Sequence, residues 1–139
     1  MCLIMMIKIR SRDLEKMISH CREEWPIEAC GVLAGKIGDE VKNVLKVYKC
    51  ENELGSPLEY RIEAEEQFKI FREIEKLGLD LLGFYHSHPS TSSDPSAVDK
   101  EKANYIGYSY MIVSLHPVRV SSWVLENIGI FKEEEIQTI

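Results

Sequence analysis

Leu79-Asp80-Leu81-Leu82-Gly83-Phe84-Tyr85 runs without a break into His86-Ser87-His88-Pro89. The first seven residues are apolar apart from Asp80, and helical patterns flank them in sequence. A strand that is apolar on both faces belongs in the middle of a sheet with cover on each side. This predicts an α/β (mixed α+β) fold with Leu79 to Tyr85 as its central strand. On an extended chain residues i and i+2 share a face, so His86 and His88 project together from the strand's end. Pro89 reinforces this, because a residue before proline is pushed out of the helical region.

Neutral imidazole is a common zinc ligand, and a pair on one face supplies half of a tetrahedral site. A third ligand has to come from a nearby carboxylate. Asp94 suits an N-cap with Pro95 at the first helical position, which predicts a helix from Pro95 to Ile106 ended by Gly107. On that helix Ser96 and Asp99 are i and i+3, on one face near the N-terminus. The Ser/Pro loop between, Ser90 to Asp94, then folds Asp99 back over the strand end, with Ser96 beside the metal. Three protein ligands leave a fourth position for water, the catalytic rather than the structural arrangement. The other two histidines, His20 and His116, have no partner nearby in sequence and read as packing or surface residues.

Outward from the central strand, Ile7-Lys8-Ile9 reads as the end of a first strand. A helix capped by Ser11 or Asp13 runs to about Trp25, with Leu14, Met17, Ile18 and Cys21 on its apolar face. Ala29 to Ile37 and Val41 to Tyr48 read as a hairpin around Gly38-Asp39, followed by a loop and a short strand at Tyr60-Arg61-Ile62. A helix spans Glu63 to Leu77, with Phe68, Phe71, Ile74 and Leu77 as its buried stripe and Gly78 past its end. Tyr108 to Leu115 is a second buried strand, and Arg119 to Leu125 and Gly129 to Ile136 close the chain as antiparallel strands.

The 139 residues, 45% hydrophobic and 29% charged, suit one domain, 1–139, with a real core. A net charge of −6 gives no electrostatic footprint for nucleic acid or an anionic membrane. No stretch approaches the roughly 20 apolar residues of a membrane span, and the apolar Met1 to Ile7 lacks a basic leader and cleavage site. A cytoplasmic protein is expected. Cys2, Cys21, Cys30 and Cys50 show no Cys-x-x-Cys spacing and read as small buried or half-buried thiols. A disulfide among them is the alternative. The apolar N-terminal edge either pairs with a second copy, giving a homodimer, or pairs within its own sheet.

The run His86-Ser87-His88-Pro89, six residues, Ser96, two residues, Asp99 resembles the motif of the JAMM (MPN-plus) zinc metalloproteases. Pro26-Ile27-Glu28-Ala29-Cys30-Gly31-Val32-Leu33-Ala34-Gly35 is similar to the glutamate-bearing segment of the small prokaryotic members. The likeness extends to Asn52, Tyr60-Arg61-Ile62 and Gly83-Phe84-Tyr85. It implies a curved mixed β-sheet flanked by helices, of the cytidine-deaminase-like type. Deaminase chemistry is not supported, since no His-x-Glu is followed by Pro-Cys-x-x-Cys.

Carried over residue by residue, the resemblance implies one catalytic Zn2+ with a bound water, held by His86, His88 and Asp99. Glu28 is then the general acid/base, and Ser96 donates to the developing oxyanion. Nothing in the residues alone selects Glu28 from the 23 acidic side chains. The implied reaction is amide or isopeptide hydrolysis. The substrate is a β-grasp protein ending in Gly-Gly, by one reading a ubiquitin-like modifier released from protein lysines. By the other it is a ubiquitin-like sulfur carrier whose C-terminus is trimmed. A third reading, a non-catalytic scaffold on the same fold, sits poorly with a complete ligand set, and a nucleic-acid role sits poorly with the acidic charge.

Overall fold

The computed structural model describes residues 6–139. The chain forms β1 (Met6–Ile9), α1 (Ser11–Glu24), β2 (Cys30–Ile37), β3 (Val41–Cys50) and α2 (Ala64–Lys76). It continues with β4 (Asp80–His88), α3 (Ala97–Lys102), β5 (Ser109–Leu115), β6 (Val118–Asn127) and β7 (Ile130–Thr138). The predicted central strand is β4, between β2, antiparallel to it, and β5, parallel to it. Its residues from Gly83 to His88 are all buried. The β2–β4 register shifts at Leu82, which breaks the alternation there, so Leu82 and Tyr85 both reach the core under α1, with Met17 and Cys21. Phe84 points to the opposite core, with Ile74 of α2 and Tyr110 of β5. At Gly83, where φ is +155°, an added Cβ would collide with the Ser109 carbonyl, so only glycine lets β5 approach this closely.

The sheet is mixed and curved, as expected, and the curvature goes to completion. Strand order β1-β3-β2-β4-β5-β6-β7 closes into a barrel because β1 pairs in parallel with both β3 and β7. Over Met6 to Ile9, β1 is thus paired on both sides and presents no edge to be templated. This removes the open-edge reason for dimerisation over Met6 to Ile9; the rest of the apolar leader, Met1 to Met5, lies outside the described residues. Cys21, Cys30 and Cys50 are buried free thiols, which removes the disulfide alternative for these three; Cys2 lies outside the described residues. No helix among the described residues is long and apolar enough to cross a membrane.

Several local expectations are corrected. The N-cap of α1 is Arg10, whose Nε donates to Asp13 at 2.7 Å, so neither Ser11 nor Asp13 caps. In α2 the inward stripe is Gln67, Ile70, Phe71 and Ile74, while Phe68 and Leu77 are more than half exposed. The charged neighbours of Phe68 suit it to a surface position, with the Arg72 guanidinium 5.7 Å from its ring centre. Tyr60-Arg61-Ile62 makes only a single bridge, Asn52 to Ile62.

Candidate metal centre

Two devices bring the predicted residues together. The first is the pleat: Phe84, His86 and His88 share one face of β4, and both imidazoles are almost fully buried at 1% and 2% exposure. The second is a capping box. Ser96, not Asp94, is the N-cap of α3; its Oγ accepts the Asp99 N–H at 3.1 Å, and its own N–H donates to Asp99 Oδ2 at 2.9 Å. The reciprocal pair satisfies two orphan helix groups at once. Asp94 instead takes the Ser92 hydroxyl within the loop. The helix also stops at Lys102, four residues short of expectation. Beyond it Tyr105 is drawn into the aromatic cluster, 4.9 Å from the ring of Phe84, and its N–H donates to Tyr110 Oη.

The donor atoms converge. His86 Nε2 lies 3.2 Å from His88 Nε2 and 3.0 Å from Asp99 Oδ1, and His88 Nε2 lies 3.0 Å from Asp99 Oδ2. Tetrahedral zinc with bonds of about 2.0–2.1 Å separates neighbouring donors by about 3.3 Å. His88 Nδ1 faces the Ser92 carbonyl at 2.6 Å. A carbonyl only accepts, so that nitrogen carries the proton and a neutral ring turns the Nε2 lone pair toward the other donors. Lone pairs and a carboxylate meeting in a buried spot suit a shared cation. His86 lacks a comparable bond at its buried Nδ1; its ring is stacked on Tyr60, centroids 4.6 Å apart.

Glu28 reaches the site through the sheet. Cys30 of β2 faces His86 of β4. Just ahead of β2, the Ala29 N–H donates to Ser87 Oγ at 2.8 Å, and the Ser87 N–H donates to the Ala29 carbonyl. Carried on, this register sets Glu28 beside His88. Asn52 fastens the following loop there, donating to the carbonyls of Glu28 and Glu59 at 3.0 Å each. Glu28 is 3% exposed, and its Oε1 has no hydrogen-bond partner. Burial, Asp99 and Glu59 outweigh the pull of His88 and push its carboxyl up to about 8.

The two neighbouring groups shift toward their charged forms, His88 upward and Asp99 downward. Burial disfavours a charged His88, but Asp99, the Ser92 carbonyl and Glu28 prevail and raise it. Burial works against the Asp99 carboxylate too, yet His86, His88 and the Ser96 N–H hold it well below the usual range. Of the other histidines, His20 is buried with Nδ1 2.7 Å from Tyr85 Oη, and His116 packs edge-on against Trp25. Tyr60 and Ser92 carry no chemical signal of their own in the sequence, because each acts by orienting a neighbouring imidazole.

A family model described as prokaryotic homologs of the JAB domain matches residues 10–126. The chain is similar to a desampylase from Haloferax volcanii, 39% identical over 105 residues that cover 72% of this chain and 74% of that protein. It is similar to a CysO-cysteine peptidase from Mycobacterium tuberculosis, 34% identical over 112 residues covering 80% and 75%. Its structure is similar to the solution structure of a Desulfitobacterium hafniense protein, with a TM-score of 0.87 at 34% identity over 96% of this chain and 92% of that one.

Proposed function

The chain belongs to the family of prokaryotic homologs of the JAB domain, and from this we propose that it is a JAMM-type zinc metallopeptidase. In this reading it removes ubiquitin-like modifier proteins from lysine conjugates. The observation that carries the reading is the meeting of His86, His88 and Asp99 donors at 3.0–3.2 Å beside a buried, unpartnered Glu28. The donor set of two imidazoles and one carboxylate fits zinc, with His86, His88 and Asp99 as its ligands. A zinc ion held there would supply Lewis acidity, lowering the pKa of water and polarising a carbonyl. Glu28 takes a proton from the attacking water and delivers it to the leaving amine, so the C–N bond breaks after the new C–O bond forms. Ser96 Oγ accepts one bond from Asp99 and still has its own proton to give to the oxyanion. His88 is kept in the ligating tautomer by the Ser92 carbonyl.

The relatives named desampylase and CysO-cysteine peptidase support removal of a ubiquitin-like protein. The second name also favours the other reading, trimming of a ubiquitin-like sulfur carrier. Both substrates are β-grasp proteins ending in Gly-Gly. Incubation of zinc-loaded protein with modifier–lysine conjugates and with C-terminally extended carriers, read by mass spectrometry, separates the two. Release at the isopeptide bond, abolished by a chelator and by Glu28→Gln with zinc retained, is expected. Cleavage of neither substrate, or full turnover in Glu28→Gln, overturns the mechanism.

A further inference from the structure

The loop from Ser90 to Asp94 is exposed except at Ser93, which is half-buried. Among the described residues only two of its groups hydrogen-bond to the rest of the protein, and they are neighbouring carbonyls. The Ser92 carbonyl accepts His88 Nδ1–H at 2.6 Å. The Ser93 carbonyl accepts two donors from β6, Trp123 Nε1–H at 3.1 Å and the Ser121 hydroxyl. Trp123 Nε1–H also reaches Ser121 Oγ at 2.9 Å, so the three groups close a triangle. A carbonyl oxygen has two lone pairs, and here both are used. The sheet register explains the reach. Ser121 pairs with Ile112, which pairs with His86; Trp123 pairs with Tyr110, which pairs with Phe84. Directly paired residues share a face, so Ser121 and Trp123 stand on the face that carries the metal ligands, two strands away.

The consequence of this triangle runs through the backbone. Peptide units are planar, so only the two dihedrals of Ser93 separate the plane of one carbonyl from the plane of the next. Pinning the Ser93 carbonyl therefore restricts where the Ser92 carbonyl points. That carbonyl in turn keeps the proton on His88 Nδ1 and the Nε2 lone pair turned toward the other donors. Exposed loops are otherwise the more mobile parts of a fold. We propose that Ser121 and Trp123 are positioning residues of the metal centre, a latch on the Ser93 carbonyl that keeps the Ser92 carbonyl on His88. The assignment rests on the metal reading above and deepens it. Because two donors share one carbonyl, either holds it when the other is removed.

Two measurements on the full chain test the latch: zinc affinity by chelator competition, and solvent exchange of the His88 Nδ1–H in the metal-free protein by NMR. Ser121→Ala and Trp123→Phe should each weaken zinc by no more than about threefold, and together by roughly 10–100-fold, the scale of losing an outer contact to a ligating imidazole. The Nδ1–H should be protected in wild type and exchange too fast to observe in the double variant. The matched pair Ser19→Ala, Trp25→Phe on α1 should bind zinc as wild type does. A loop variant makes the same break without touching the sheet. One glycine inserted between Ser92 and Ser93 separates the two carbonyls and should match the double variant. One inserted between Asp94 and Pro95 lengthens the loop equally, a small cost in itself, and should keep zinc affinity near wild type. Wild-type affinity in the double variant, or a loss there with the Nδ1–H still protected, overturns the latch. So does equal loss from both insertions. Wild-type protein that takes up no zinc sinks the metal reading instead, and exchange in the metal-free protein then still decides the latch.

Discussion

The barrel buries two charged clusters, and they solve the same problem differently. At the start of β5, Lys42 Nζ lies 2.7 Å from Glu134 Oε1, an ion pair by distance rather than by hydrogen-bond angle. Glu134 Oε2 accepts the hydroxyls of Ser109 and Ser122 at 2.6 and 2.7 Å, and Lys42 also donates to Ser109. Toward the other end of the β4–β5 pair, where His88 faces Ser114, His86, His88, Asp99 and Glu28 come together, with no lysine or arginine among the described residues in ion-pair contact. Buried charge is tolerated when it is paired and hydrogen-bonded. The first cluster carries its own cation. The second is arranged as though one were to be supplied.

Removing a donor from the open cluster gives the largest effect. His88→Ala should lose stoichiometric zinc by metal analysis and lower peptidase activity by about 10³-fold or more, while folding persists by circular dichroism. Lys42→Met should leave zinc content unchanged. If His88→Ala retains one zinc with native affinity, the distinction between the clusters fails.

Breaking the closed cluster should instead appear in stability. Glu134→Ala leaves Lys42, 4% exposed, without its counter-charge, a change that costs about 3–5 kcal/mol in such pairs. The double replacement Lys42→Met, Glu134→Leu should recover most of that loss, because apolar isosteres avoid the desolvation penalty. Urea titration of the metal-free protein reads both. A loss below about 1 kcal/mol in Glu134→Ala would mean that Lys42 finds water.

The open cluster was the more legible of the two in sequence, for a physical reason. His86 and His88 are two residues apart on a strand, and Asp99 follows across one short loop, so pleat and helix periodicity place them. Lys42 and Glu134 meet only because β1 bridges β3 and β7 to close the barrel, and no local pattern announces that closure. Glu28 is of the same kind. The β2–β4 register that delivers it spans 58 residues, and it was picked out only by likeness to a family. Ser96 and Asp94 are equally good capping residues by type, and the choice fell to the reciprocal bond with Asp99. In α2 both Phe68 and Ile70 fit an apolar stripe; the position of Phe84 and Ile74 in the packed core decides for Ile70.

Glu28 allows the comparison to be sharpened with pH. In the unfolded chain its carboxyl titrates near 4.5, and in the metal-free fold near 8. The folded state therefore holds the proton more tightly, and its stability from this group is full below about pH 4.5 and drains away as pH rises toward 8. Glu28→Gln, which cannot ionise, should match wild type at pH 4 and exceed it increasingly between pH 5 and 8. The gain at pH 8 should be on the order of 2–4 kcal/mol. Chemical denaturation across this range measures it. A constant difference between the two proteins at every pH would show that Glu28 titrates normally in the fold. A cation at the neighbouring donors favours the carboxylate, so zinc should narrow the gap.

The smallest expected effect separates the two histidines. His88 is oriented by a hydrogen bond to Ser92, but His86 Nδ1 has none, and outside the donor cluster its ring is stacked on Tyr60. Outer contacts that orient a metal-ligating imidazole typically contribute 10–100-fold in affinity when they are hydrogen bonds; a stacking contact should stand at the lower end. Tyr60→Leu should therefore weaken zinc binding by roughly tenfold in a chelator competition, whereas Tyr60→Phe, which keeps the ring, should bind as wild type does. A defect of equal size in Tyr60→Phe would assign the effect to the hydroxyl. No defect in Tyr60→Leu would mean that the walls of β4 alone hold His86, and that the open cluster is as rigid without its aromatic support as the closed one is with its ion pair.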